Sequence, residues 1–263
     1  MRIIKVGGGA SINLEGVVKD LAELAEPAVV VHGANALRDE LAAKLGTPKQ
    51  VVTSVSGYSS VLSDEAAIDA ILMSYAGLRN KRLVELCQRH GVNAVGLTGI
   101  DGGVVKGARN KGIRVREGSK NLIKRDFSGK PKAVNGELLR LLLDNGYTPV
   151  LTIPILDERG YAVNSENDDI VNAIHAELKA TEVVQLIEAP GFLADGSDES
   201  SVIASMTAAE VAIRESQIEG RIKRKLLALK TLVQASDVKV YIADGRVEQP
   251  IQNAIAGKGT VIQ

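Results

Sequence analysis

Three separated groups of residues in this chain have the types needed for anion chemistry. The first is Lys5-Val6-Gly7-Gly8-Gly9, which follows the apolar residues Ile3 and Ile4. Without side chains, the amides of the glycines can approach an oxyanion closely, and a nearby lysine adds a full charge. An ordinary strand-to-helix turn would have the same pattern, so this stretch alone decides little. The second group is Asn164-Ser165-Glu166-Asn167-Asp168-Asp169. Acids at a helix start fit capping of the first amides; the functional alternative is that one of them meets a cation. The third is Gly220-Arg221-Ile222-Lys223-Arg224-Lys225. Four positive charges at a helix N-terminus oppose the macrodipole, which points to an anion there, with Lys225 the candidate partner. His32, at the end of Val29-Val30-Val31, is either a general base or a residue that orients its loop. Gly33 and Ala34 after it offer backbone N–H groups at the next helix start, where an anion is favoured.

These groups require a scaffold that brings strand ends together. Strand-like apolar runs fall at 2–6, 28–32, 92–97, 147–153, 182–187 and 238–243. Helical periodicity fills 13–25, 35–45, 63–89, 134–145, 167–179, 207–214, 219–235 and 248–256, with stops at Gly46, Gly91 and Gly146. This alternation predicts an α/β protein, a three-layer αβα sandwich with a mostly parallel central sheet, whose ligands lie beyond the carboxyl ends of the strands. A division near residue 178 is expected, into a segment 1–178 and a segment 179–263.

The chain has 263 residues, 45% hydrophobic, with no Trp and a formal net charge of zero. No global field points to nucleic acid or membrane, and no apolar run approaches the roughly 18 residues of a membrane span. The single cysteine, Cys87, excludes an internal disulfide and fits a reducing cytoplasm. Its helical setting predicts a buried, inert thiol. The charge is uneven, however. Lys106 to Lys132 carries ten Lys/Arg against Glu117 and Asp126, a local +8 balanced by −8 elsewhere. Alternation at Ile113–Arg116 and Leu122–Arg125 predicts a hairpin turning at Gly118-Ser119 within a basic segment 104–132. Two lookalikes fail. Gly257-Lys258-Gly259-Thr260 lacks P-loop spacing, and Gly7 to Ile12 lacks the third glycine of a dinucleotide turn.

Taken in order, Lys5-Val6-Gly7-Gly8, His32-Gly33, Asn80-Lys81-Arg82, Gly96-Leu97-Thr98-Gly99, Asn164…Asp168, Ala189-Pro190-Gly191 and Gly220…Lys225 resemble the amino acid kinase family, in its acetylglutamate kinase branch. The last of these motifs, Ala243-Asp244-Gly245-Arg246-Val247-Glu248-Gln249-Pro250-Ile251 and the basic segment are similar to the subgroup that phosphorylates a substrate tethered to an acidic amino-group carrier protein (LysW-type). The resemblance implies ATP as cosubstrate with Mg²⁺, and a homodimer, for which the apolar face Ala67, Ile71, Tyr75 is a candidate surface. It implies that Lys5 and Lys225 neutralise the transferring phosphoryl and that Gly7 and Gly8 donate amides to it. Asp168 would hold the lysines, and Gly191 and Gly220 would line the nucleotide. Asn164, Gly33, Ala34, Ser59, Ser60 and Val61 would face the acceptor. Lys111, Arg114, Arg116, Lys120, Lys124 and Arg125 would meet the carrier, whose acidity gives a +8 segment a use. The acceptor would sit on segment 1–178 and ATP on 179–263.

The chain departs from that pattern on the acceptor side. Ser59 and Val61 stand where similar chains carry arginine, which would clamp a free carboxylate bidentately. Ala34 replaces the second glycine of His-Gly-Gly. Three explanations stay open: a cation from the basic segment replaces the clamp, the acceptor is a modified carrier-bound amino acid, or the chain is a non-catalytic carrier-binding relative.

Overall fold

A computed structural model describes residues 1–53, 55, 59–117, 120–217, 220–234 and 237–263, with side chains described except at 53, 59, 60, 116, 117, 120 and 220–222. In chain order the elements are β1 (Arg2–Val6), α1 (Leu14–Glu23), β2 (Ala28–His32), α2 (Asn35–Lys44), β3 (Val51–Thr53), β4 (Ser59–Val61), α3 (Glu65–Ile71), α4 (Asn80–Arg89) and β5 (Ala94–Thr98). The basic segment follows as β6 (Val105–Arg109), β7 (Ile113–Glu117), β8 (Lys120–Lys124) and β9 (Gly129–Val134). Then come α5 (Gly136–Asp144), β10 (Thr148–Thr152), β11 (Ile155–Leu156), β12 (Ala162–Val163), α6 (Asn167–Leu178), β13 (Glu182–Ile187), β14 (Ser205–Met206), α7 (Ala208–Gln217), α8 (Gly220–Gln234), β15 (Lys239–Asp244), α9 (Pro250–Ile255) and β16 (Thr260–Ile262).

Eight strands form one sheet in the order β14-β16-β15-β13-β1-β2-β10-β5, parallel except where β16 meets β15. The apolar run of β1 explains its central place. Ile3 faces one core and Ile4 and Val6 the other, all fully buried. A strand covered on both faces reads as continuous rather than alternating hydrophobicity. One face is packed by α1, α4 and α9 through Val17, Leu83 and Ile251. The other is packed by α5, α6 and α8 through Leu139, Ile170 and Leu226. The expected three-layer αβα sandwich is therefore present. The sheet draws strands from both sides of residue 178.

Local signals set most boundaries. Asn13, Asp64 and Asn135 cap α1, α3 and α5 by accepting from Gly16 N, Ala67 N and Leu138 N. Gly91 and Gly146 end their helices at φ +77°, a conformation that glycine adopts without steric cost. The helix expected over 63–89 is one rod with a π-helical stretch, Leu72–Arg79, between α3 and α4. Such stretches concentrate at functional sites. Its proposed subunit-mating face is not free: Ile71 and Tyr75 are 1% and 4% exposed and belong to this chain's own core.

The basic segment is two nested hairpins. Outer strands β6 and β9 pair antiparallel and join β11 and β12 in a separate four-stranded sheet. Inner strands β7 and β8 pair with Glu117 opposite Lys120, which leaves Gly118-Ser119 between them; those two residues lie outside the described set. Val55 N donates to Arg114 O, so this hairpin touches the β3–β4 hairpin.

Candidate active site

β1 has β2 on one side and β13 on the other, and both neighbours run parallel to it. The chain therefore leaves β1 at a point where the sheet's connections diverge, the usual ligand crevice of an open α/β sheet. Lys5, 7% exposed, stands at that point. A lysine this buried needs a partner, and it has one: Nζ lies 2.9 Å from Asp168 Oδ1. Asp168 sits in the first turn of α6, whose N-cap residue Glu166 makes no side-chain cap bond. The capping explanation for these acids thus gives way to an ion pair across 163 residues of sequence.

Lys225 belongs to the same electrostatic group. Burial, and next the charge of Lys5, pull its ammonium below the ordinary lysine value, while Asp168, Glu166 and Glu188 pull it back up. Its side chain nonetheless meets solvent, which fits a residue on the wall of an open cleft. Lys5, paired with Asp168, and Lys225, which feels the charge of both, together favour a further anion nearby. A bound phosphate needs the ammonium form. ATP affinity should therefore fall as pH rises through the lowered Lys225 value. ATP binding should also take up protons on that alkaline side. Calorimetry in buffers of different ionisation enthalpy checks this. Wild type should show the uptake and Lys225→Arg should not; proton-neutral binding by wild type would contradict it.

The glycines divide their work differently from the expectation. Gly7 N donates to Leu186 O at 2.9 Å and Gly33 N to Val6 O at 2.9 Å, so neither amide is available to a ligand. Among the described residues Gly8 N and Gly9 N donate to no acceptor, and these amides remain for an oxyanion. The turns after β1 and β2 press backbone on backbone. A Cβ on Gly8 would lie 2.6 Å from Ala34 N and against Asn35 Oδ1, and one on Gly33 would lie 2.9 Å from Gly8 Cα. Ala34 is buried, and its amide supports the Tyr75 hydroxyl. Gly191 is also packed tightly, with a Cβ there 2.9 Å from Val202 Cγ1 and 3.0 Å from Thr260 Oγ1. Gly220 opens α8.

His32 is not a base. It is fully buried and pushed down to about 3, chiefly by burial. Nδ1 lies 3.3 Å from Gly33 O, and Nε2 lies 3.1 Å from Asn80 Nδ2. The amide of Asn80 can only donate there, so Nε2 accepts and Nδ1 carries the proton. Asn80 Nδ2 also donates to Val150 O, and Lys81 Nζ to Gly96 O. Together they tie the end of β2 to the middles of β10 and β5. Cys87 is buried with its thiol pushed up to about 11 by burial, hence inert.

On the acceptor side, Asn164 Nδ2 donates to Ser63 Oγ at 3.0 Å, and Ser63 N donates to Asp126 Oδ1 at 2.9 Å. Ser59 and Ser60 lie in β4, with side chains outside the described set, and Val61 pairs with Val51. Lys111, Arg114 and Arg125 are exposed and Lys124 is half-buried; the side chains of Arg116 and Lys120 fall outside the described set. Two residues escaped the sequence reading. Asp126, 1% exposed, looked like one stray acid among cations, yet it joins the basic segment to Ser63. Glu188 lies against Gly9, accepts from Ser11 N at 2.8 Å, and is held below the usual carboxylate range first by the Ser11 hydroxyl. Its only sequence signal was its place just past β13. Among the described residues no group of three or more His, Cys, Asp or Glu converges. Mg²⁺ commonly binds through one or two carboxylates and nucleotide phosphates rather than through a dedicated protein cage. No helix among the described residues is long and apolar enough to cross a membrane.

The chain is similar to known proteins along its whole length. The chain is 38% identical to the "[LysW]-aminoadipate kinase" of Thermus thermophilus over the full length of both. It is 30% identical to the acetylglutamate kinase of Methanopyrus kandleri, again over the full length of both. In structure it is similar to the N-acetylglutamate synthase of Neisseria gonorrhoeae, with TM-score 0.78 and 19% identity, covering 99% of this chain and 58% of that one. A Giardia carbamate kinase aligns at TM-score 0.68 and 12% identity, over 99% and 97% of the two chains. The model of the amino acid kinase family matches residues 1–244. With that family match over most of its length and full-length kinase relatives, the chain belongs to the amino acid kinase family and is a phosphotransferase.

Proposed function

We propose that this enzyme transfers the γ-phosphoryl of ATP to the side-chain carboxylate of an amino acid, of the α-aminoadipate or glutamate type, borne on a small acidic amino-group carrier protein. The product is an acyl phosphate. The observation that carries the reading is the pairing of a two-lysine anion site with a histidine that cannot act as a base. An acceptor hydroxyl would need deprotonation. A carboxylate with an ordinary pKa near 4.3 is already ionised. The chemistry then reduces to bringing two anions into line and stabilising the charge on the transferring group.

Lys5 and Lys225 would lie on the phosphoryl oxygens, with the Gly8 amide as a further donor. Asp168 keeps the Lys5 ammonium from folding away from the crevice. Mg²⁺ bound on the phosphates would offset their remaining charge. ATP would rest against segment 179–263, between Gly191 and the start of α8, and the acceptor against Asn164 on segment 1–178. Exposed Lys111 and Arg114, with Leu122 and Ile123 at 42% and 65% exposure beside them, suit a partner that is acidic and partly apolar. The names of the full-length kinase relatives support the same reading.

Incubation with ATP, Mg²⁺, hydroxylamine and either a carrier-borne or a free N-acetylated amino acid tests it, because hydroxylamine traps acyl phosphate as hydroxamate. Hydroxamate is expected with the carrier-borne acceptor. Turnover of free N-acetylglutamate alone would reject the carrier, and no hydroxamate with any acceptor alongside measurable carrier binding would indicate a silent partner. Neutralising Lys111, Arg114 and Arg116 together should raise KM for the carrier by about tenfold at low salt and flatten its salt dependence.

A further inference from the structure

An open groove of about 410 Å³ lies between β9 and α6, a size that suits a small molecule. Asp169, Asn172, Ala173 and Ala176 line it from α6, at spacings that share one helix face. Lys130 and Lys132 of β9 form a second wall. Adjacent residues of a helix point about 100° apart, so Asp168 turns to Lys5 while Asp169 turns into the groove. β9 is an edge strand, paired only with β6. Pro131 faces Gly107 and Ala133 faces Lys106, which leaves Lys132 as the extra residue of a bulge. Bulges re-aim side chains beside functional sites, and here Lys132 joins Lys130 on the groove wall. Proline and a bulge also blunt an edge against a further strand, so the opening suits a small ligand better than an extended peptide.

The charges of this groove face one another without closing. Lys130, Lys132 and Asp169 make no side-chain hydrogen bond or ion pair among the described residues. Asp169 is half-buried. Burial raises its carboxyl above the ordinary value, and Lys130 is the charge that most pulls it back. Asn172 Nδ2 donates to Ala228 O at 2.8 Å, which leaves its Oδ1 to accept. Glu177, also on the lining, is already taken by Arg140 at 2.8 Å. A plain anion would suit the lysines but meet Asp169, and a plain amine would suit Asp169 but meet the lysines. A molecule with both charges satisfies both walls, and each wall rejects the single-charged alternative.

We infer that this groove binds a free α-amino acid by its two charged ends, as an effector site apart from the catalytic crevice. The carboxylate lies on Lys130 and Lys132, and the ammonium on Asp169 and Asn172 Oδ1. The route to the crevice is short. Asp169 follows Asp168, the partner of Lys5, and Asn172 ties α6 to Ala228, three residues beyond Lys225. A ligand that draws β9 toward α6 therefore loads the helices that carry Asp168 and Lys225.

Calorimetry on the full chain with L-alanine, L-glutamate and L-lysine tests the site, with propionate and alaninamide as probes that each lack one charged end. At least one amino acid should bind with Kd below about 1 mM, and neither single-ended probe should. Asp169→Asn, Lys132→Ala and the double variant Lys130→Ala/Lys132→Ala should each weaken that binding by about tenfold or more, as loss of a charged hydrogen-bond partner does. Their ATP affinity without amino acid should stay within about twofold, which reports an intact fold. In wild type, saturating amino acid should shift the Kd for ATP by about fivefold or more, and in the double lysine variant it should not. Binding that survives in all three variants would put the amino acid in the acceptor crevice and overturn the site. No binding by any of the three amino acids, or equal binding of propionate, would overturn the ligand class. An ATP affinity unmoved by the bound amino acid would overturn the effector role.

Discussion

Replacing Lys5 with methionine should lower kcat by about 10²–10³-fold, the loss seen when one preorganised charge-stabilising donor is removed from an active site. Methionine keeps the length and much of the apolar stem while deleting the charge. The same change leaves Asp168 without its 2.9 Å partner, so a stability loss on the order of 1–3 kcal/mol accompanies it. The two effects separate in a double-mutant cycle. Lys5→Met with Asp168→Asn should recover most of the stability, because the orphaned charge is gone, and none of the rate. Denaturant unfolding and single-turnover phosphoryl transfer measure the two arms. If Lys5→Met turns over within about tenfold of wild type, the lysine is structural and the assignment of the anion site fails.

Gly8→Ala should be as damaging by a different route. The added methyl would lie 2.6 Å from Ala34 N and 2.8 Å from Asn35 N, both backbone atoms that cannot rotate away. Overpacking of this kind costs about 1–3 kcal/mol. The larger effect is positional. The turn must shift, and it carries both an amide proposed to meet the phosphoryl and the route of the chain away from Lys5. A displacement near 1 Å in such a site costs about 10²-fold in rate, so kcat should fall by about that factor. Gly196→Ala is the control, since a methyl there meets nothing within 4 Å. Near-wild-type activity in Gly8→Ala would show that this turn relaxes without cost and does not define the phosphoryl position.

The architecture was legible because its signals are redundant. Continuous apolar runs marked the parallel strands, and β1, β2 and β13 match their expected limits. β5 begins at Ala94, two residues later than the expected run, because the apolar Val92 draws the limit forward across the polar Asn93. The 63–89 helix was legible as a rod but not as a rod with a π-helical stretch, which depends on how Tyr75 and Ser74 settle into the core. Charge type marks Lys5 and Lys225 as candidates and the resemblance singles out Asp168, but a carboxylate at a helix start has two uses. Only the missing cap bond at Glu166 and the short contact to Lys5 separate them. The amides of Gly7 and Gly33 could not be assigned from sequence, because their acceptors, Leu186 O and Val6 O, depend on strand register. Tyr75 looked like an outward apolar stripe for the same reason: helical periodicity gives a face but not its direction.

The ladders around the acceptor have a consequence of their own. β3–β4, β7–β8 and the sheet of β6, β9, β11 and β12 share no hydrogen-bonded strand with the eight-stranded sheet that carries Lys5. On the proposed function, the strands beside the acceptor and the strand that carries Lys5 therefore belong to different ladders. Ser59 and Val61 occupy one of these detached ladders, so a change of acceptor there leaves the register of β1 untouched. On the proposed function, exchange of residues 47–62 and 104–132 between relatives should change the acceptor while leaving the phosphoryl-transfer residues on β1 and α6 in place.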